Sequence, residues 1–166
     1  GQKLIGELFF IHYSKAYNFR MSIVRPTNVY GPRAGFDGMI PKIIKQVKKH
    51  TDPFTIFGPN DTRTFCYVED TIEAFIKIVE SKKTDGQTYN IGGNQLASVK
   101  DITEIIFDVL NWKPKKIILE NPPREAVSNS VPDISKIKKD AGWEPKISLE
   151  KGLKKTVEWY LNHLST

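Results

Sequence analysis

Short runs rich in β-formers, each closed by Gly, Pro or Asn, alternate along this chain with longer segments of helical period. That alternation is what most restricts the fold, because strands feeding helices in turn are the pattern of the α/β class. Leu4, Leu8, Ile11 and Tyr13 recur at helical spacing and predict a helix over 1–17, ended by Asn18, which tolerates a left-handed C-cap. Residues 21–24 predict a buried strand. Residues 26–37, with their prolines, glycines and Asn28, predict a loop. A helix is expected over 38–49, with Pro41 tolerated in its first turn.

Further on, 54–57 predicts a strand, 58–61 a turn and 64–68 a second strand. Asp70-Thr71-Ile72-Glu73 has the form of a capping box and predicts a helix from 70 to about 81. A strand over 88–91 closes on Gly92-Gly93. Ser98 and Asp101 predict the cap of a helix with Ile102, Ile105, Ile106 and Val109 on one face. Residues 115–119 predict a strand and 120–132 an irregular, Pro-rich loop. Helices near 133–141 and 149–164 follow, the latter lined by Leu153, Val157, Tyr160 and Leu164.

The 166 residues suffice for one domain with a core. No apolar run approaches the roughly 20 residues of a membrane span. The single Cys66 cannot close an internal disulfide, which suits a reducing, cytoplasmic compartment. No zinc-ligand spacing occurs and His12, His50 and His163 are isolated, so no metal site is expected. The net charge of +6, from 25 basic and 19 acidic residues, suits an anionic partner. It is dispersed, however, and runs such as Lys48-Lys49, Lys82-Lys83 and Lys115-Lys116 read as solvated surface. Neither nucleic acid nor membrane is an expected partner.

Several residues could carry chemistry. The loop from Arg25 to Arg33 follows a buried strand, and in open α/β sheets ligands lie beyond the carboxyl ends of strands. Asn28 offers two donors and an acceptor there; a rigid turn needing Pro and Gly is the alternative, and the pattern leaves both open. Arg63 and Arg124, converging from distant segments, would suit a diphosphate through planar guanidinium forks; taken alone, each reads as a solvated arginine. Lys3 alone reads as a surface residue, and Trp143 and Trp159 as core. There is no GxGxxG, P-loop or GxSxG.

In their order and spacing these motifs resemble the extended short-chain dehydrogenases that modify nucleotide sugars: 4-epimerases, 4,6-dehydratases and their relatives. Lys3-Leu4-Ile5-Gly6-Glu7 is similar to the end of that family's YxxxK motif, and Arg25 to Pro32 to its R-x-x-N-x-Y-G-P loop. Asp37 to Pro41 is similar to the segment ending in Ile-Pro. Phe54 to Gly58 and Arg63 to Asp70 are similar to its aromatic-Gly turn and R-D-F-x-x-V-x-D. Tyr89-Asn90-Ile91-Gly92, Asp133 to Lys136, Gly142-Trp143-Glu144-Pro145 and Leu149 to Leu153 are similar to its Y-N-(I/V)-G, D-x-S-K, G-W-x-P and L-E-x-G-L series. The chain departs from the pattern at Thr64, where Asp is common, and after Arg124, where Glu125-Ala126-Val127 replaces x-G-D.

The resemblance implies an α/β fold: the C-terminal portion of a Rossmann-like, NAD-dependent epimerase or dehydratase with its small substrate lobe, and without the dinucleotide-binding part. Residues 1–37 would be the tail of the Rossmann-type core and 38–166 mainly the substrate lobe. Lys3 and Pro26 would meet NAD, and Lys3 would lower the pKa of the catalytic tyrosine, expected two residues before Gly1. Asn28, Arg63 and Arg124 would hold the diphosphate, Thr55 and Phe57 would meet the nucleobase, and Ile40 and Pro41 would wall that pocket. A UDP-sugar 4-epimerase leads among the activities implied. A dehydratase, decarboxylase or reductase of the same family, or a non-catalytic NAD(P)-sensing or RNA-binding relative, are the alternatives. The segment alone is expected to be inactive and not to bind NAD. Its partners would be a nucleotide sugar, the N-terminal NAD-binding part, and a second copy through the helix at 1–17, whose apolar residues wrap beyond one face.

Overall fold

The structure, a computed structural model, describes residues 1–121 and 131–163. Its elements run α1 (Gln2–Tyr17), β1 (Ile23–Pro26), β2 (Val29–Tyr30), α2 (Met39–Lys48), β3 (Phe54–Phe57), β4 (Thr62–Thr64) and β5 (Cys66–Tyr67). Then come α3 (Val68–Glu80), a 3-10 turn (Lys82–Thr84), β6 (Thr88–Ile91), β7 (Leu96–Ser98), α4 (Val99–Val109), β8 (Ile117–Glu120), α5 (Ser135–Ala141) and α6 (Leu149–His163).

Strand pairing is long-range and mostly parallel, as the α/β class requires. β1 lies beside β6 with Ile23 opposite Thr88, β2 beside β5 with Val29 opposite Cys66, and β3 beside β8 with Phe54 opposite Ile117. β4 and β7 are antiparallel, with Arg63 opposite Ala97.

The helices follow their apolar spacing. In α2 the run Ile40, Ile43, Ile44, Val47 falls on one stripe and is buried. α4 begins in the expected capping box: the Asp101 amide donates to Ser98 Oγ, and the Asp101 carboxylate accepts from the Ser98 amide. Asn18 ends α1 in the left-handed region, at φ 50 and ψ 48. α2, α4, α6 and β3 share one hydrophobic cluster around Ile44, Phe54, Ile102, Phe107 and Leu153. α3, α5 and β6 share a second, around Cys66, Ile78, Tyr89, Ile91, Ile137 and Trp143, with Val24 of β1 packed against it.

Several expectations need correction. The strand expected over 64–68 is two, β4 and β5, because β4 pairs with β7 while β5 pairs with β2. The loop expected over 26–37 contains β2, and Pro26 is the last residue of β1. Asp70 does not cap α3. That helix starts at Val68 without a side-chain cap, and the buried Asp70 carboxylate instead accepts from the Ile147 amide at 2.9 Å. Trp143 Nε1 donates to the Asp70 carbonyl at 2.9 Å. The two bonds fasten the 143–147 segment to the first turn of α3, and so carry the chain from the smaller cluster into α6.

Gly152 of α6 is a close-approach position. A Cβ there would stand 2.1 Å from the Tyr30 hydroxyl, so glycine is what lets α6 lie against β2 and β5. Tyr30 in turn donates to the Leu149 carbonyl at 3.3 Å.

α1 differs from the other helices in having no buried residue. Leu4, Ile5, Leu8, Phe9 and Phe10 are each more than half exposed. Phe9, Tyr13 and Tyr17 form a ladder of rings along it, 4.4 and 5.3 Å apart. Its link to β1 is polar: Arg25 forks onto Glu7 through Nε at 2.8 Å and Nη2 at 2.5 Å, holding the Glu7 carboxyl below its usual range. Arg25 is thereby a fastening between elements.

Candidate functional site

The site grows from the carboxyl end of β1. The Thr27 amide and hydroxyl both donate to the Ile91 carbonyl, at 2.8 and 3.1 Å, and lock the turn to β6. Asn28 follows in the left-handed region, at φ 44, which Asn tolerates better than most residues. Its Nδ2 donates to the Thr64 carbonyl at 2.8 Å, and its carbonyl accepts from the Cys66 amide at 3.2 Å. Asn28 is therefore first a brace between the β1–β2 turn and the β4–β5 hinge. One amide hydrogen and the side-chain oxygen remain for a ligand.

That brace places Asn28 beside Arg63. In β4 successive side chains alternate: Thr64 is fully buried, and Arg63 turns the other way. Asn28, Arg63, Ile40 and Pro41 all line one cavity of about 240 Å³, completed by Gly31, Ala34, Gly38, Met39, Phe65 and Tyr160 among others. Four residues singled out from the sequence thus meet at one place.

The electrostatics are one-sided. None of the cavity's lining residues is a carboxylate, and no hydrogen bond or ion pair engages the Arg63 side chain among the described residues. Gly38, Met39, Ile40 and Pro41 are the cap and first turn of α2, which has neither a side-chain cap nor an acid in that turn. The orphan amides of a helix N-terminus carry partial positive charge. A guanidinium and an uncapped helix start facing one cavity favour a phosphate-like anion.

Thr55 and Phe57 lie elsewhere. In β3, Phe54 and Ile56 point into the core while Thr55 and Phe57 alternate outward. They line a second cavity of about 450 Å³ with Lys42 and Gln46, and Met39 borders both cavities. Arg124 lies outside the described residues. Lys3 is exposed on α1 and lines neither cavity. It stands one turn before Glu7 on the same helix face, and Glu7 grips Arg25, the neighbour of Pro26. Pro26 itself is the carboxyl-terminal residue of β1.

Among the described residues, no group lining the cavity is suited to general acid–base work near neutrality. Burial pushes the Tyr30 phenol far up, and burial likewise raises the Tyr160 phenol. Thr156 and Tyr160 of α6 belong to its wall; from the sequence Tyr160 was read only as part of a helix face, and Thr156 was not singled out.

Comparison with known proteins follows the same lines. A family model described as GDP-mannose 4,6 dehydratase matches residues 2–156. The chain is 36% identical over 156 residues to a UDP-glucuronate 4-epimerase of Thermodesulfobacterium geofontis, covering 93% of this chain and 47% of that protein. It is 32% identical over 164 residues to the dTDP-D-glucose 4,6-dehydratase of Homo sapiens, covering 95% and 46%. The fold is similar to that of the UDP-glucuronic acid 4-epimerase from Bacillus cereus solved with UDP-glucuronic acid and NAD, with a TM-score of 0.87 and 30% identity over 97% of this chain and 51% of that one. The chain spans about half the length of the curated relatives it matches.

Proposed function

The chain belongs to the GDP-mannose 4,6 dehydratase family of NAD-dependent nucleotide-sugar epimerases and dehydratases, and from that premise we propose that it is the nucleotide-sugar-binding portion of a UDP-sugar 4-epimerase. The observation that carries the reading is the cavity where Arg63 and the uncapped start of α2 converge with no carboxylate in its wall among the described residues. The diphosphate lies there, held by Arg63 and the free amide hydrogen of Asn28, with Ile40 and Pro41 as the apolar wall. The nucleobase lies against Thr55 and Phe57 in the adjoining cavity, reached past Met39. Arg124 is assigned the far side of the diphosphate, by its place in the motif order alone.

Residues 1–37 are proposed as the tail of the dinucleotide-binding portion. Residues 38–166 are mainly the substrate lobe, mainly because α3, β6 and α5 pack with β1. The NAD site is assigned to the carboxyl end of β1, where Pro26 stands, with Lys3 added by its place in the motif order; bound there, NAD would supply reversible hydride storage. With NAD bound, Lys3 would hold its ribose and favour the phenolate of the catalytic tyrosine that the family pattern expects two residues before Gly1. The cytoplasmic setting proposed rests on the single, buried Cys66.

A 4,6-dehydratase is the second reading, favoured by the family description and the human relative. Product mass separates the two, since epimerisation conserves it and dehydration removes one water. Binding itself is tested by calorimetry. UDP is expected to bind at least about tenfold more tightly than uridine, because hydrogen bonds to charged groups contribute roughly 1.5–3 kcal/mol. Equal affinities would remove the diphosphate from this cavity.

The bare apolar faces of α1 are proposed to take the N-terminal portion on one side and a second copy on another, giving a homodimer. Exposed patches of this kind drive association. Light scattering should show self-association that the joint replacement of Phe9 and Phe10 by Ser abolishes. A monomer at high concentration, unchanged by the replacement, would contradict the assignment.

A further inference from the structure

Residues 31–38, between β2 and α2, supply one wall of the cavity through Gly31, Ala34 and Gly38. The segment has no regular structure, and most of it is exposed. Its backbone passes through the left-handed side at Arg33 (φ 64) and Gly35 (φ 82). Ordering such a segment opposes each residue's conformational entropy, so something must hold it.

Among the described residues, the tie to its middle comes from far along the chain. The Tyr160 hydroxyl, on α6, donates to the Gly35 carbonyl at 2.5 Å. The Tyr160 ring is fully buried. Phe36 packs edge-on against it at 5.6 Å, and Trp159 does so at 4.9 Å. A core position alone would need only the ring; the hydroxyl reaches out of α6 to a loop carbonyl beside the cavity that Tyr160 itself lines.

We propose that Tyr160 is a positioning residue for nucleotide binding: by holding Gly35 it fixes the 31–38 wall in the shape that the diphosphate meets. The inference rests on the reading of this cavity as the diphosphate site. A wall that is correctly shaped only part of the time lowers apparent affinity by that fraction, without altering the contacts made once it is in place.

Tyr160→Phe keeps the ring and its packing and removes only the bond to Gly35. In the protein carrying both its portions, UDP affinity by calorimetry should fall about 3- to 10-fold, the range expected for one hydrogen bond. KM for the nucleotide sugar should rise in parallel while kcat stays at the wild-type value. Trypsin should cut after Arg33 faster in the variant, and UDP should slow that cut. Phe36→Ala, at an exposed residue that cannot endanger the core, should weaken UDP in the same direction. Unchanged UDP affinity in both variants, with the wild type binding normally, would overturn the role of Tyr160. A wild type that does not bind UDP would instead overturn the reading of the cavity.

Discussion

Replacing Trp143 by alanine is expected to destabilise the chain by about 3–5 kcal/mol, the usual cost of emptying a buried tryptophan site. The indole is fully buried, and it is the largest such side chain of the described core. It packs in the smaller cluster with Cys66, Ala74, Ile78 and Ile137. Gly142, left-handed at φ 61, ends α5 immediately before it, so the backbone is already committed to delivering the ring inward. The Trp143 Nε1 bond to the Asp70 carbonyl also disappears with the ring, and the neighbouring Ile147–Asp70 bond loses its support. Since domains are typically stable by only 5–15 kcal/mol, much of the reserve should vanish. Urea unfolding measures it. Trp143→Phe, which keeps most of the volume, should lose clearly less. A shift below about 1 kcal/mol for Trp143→Ala would mean that the 143–147 segment does not hold α3 to the rest of the chain.

The pattern of what could be read from the sequence has physical causes. The stripe of α2 and the capping box of α4 are local: each is decided by residues within two turns, and the structure has both. β2 and β7 are two and three residues long. They exist because Val29 meets Cys66 and Leu96 meets Thr64, partnerships that no local pattern encodes. The misplaced start of α3 has a similar origin. Asp-Thr-Ile-Glu has the form of a cap, but the Asp70 carboxylate is engaged by Ile147.

At the site, Asn28, Ile40, Pro41 and Arg63 were legible through motif order, and they meet in one cavity. Thr55 and Phe57 were legible too, yet strand alternation sends them to its neighbour. The double duty of Asn28 was not, because its bond to the Thr64 carbonyl spans 36 residues. Tyr160 was hidden for another reason. It sits on the apolar stripe of α6 with Leu153 and Val157, where a tyrosine that holds a loop has the same spacing as one that merely fills the core.

The second large effect concerns Arg63, and with it the central claim. β4 is pinned to β7, with Arg63 opposite Ala97, so the guanidinium is delivered to the cavity by backbone pairing. Among the described residues the wall has no carboxylate, and the uncapped start of α2 shares it with Arg63, which is the cationic side chain there available to a diphosphate. Its side chain crosses no core, so Arg63→Ala should leave the fold intact. The deciding measurement is calorimetry of UDP and of uridine on the wild type and on Arg63→Ala. UDP affinity should fall about tenfold to a hundredfold, the equivalent of roughly 1.5–3 kcal/mol for charge-assisted hydrogen bonds, while uridine affinity stays as it was. An Arg63→Ala variant that binds UDP as tightly as the wild type would return Arg63 to the surface and take the diphosphate out of this cavity.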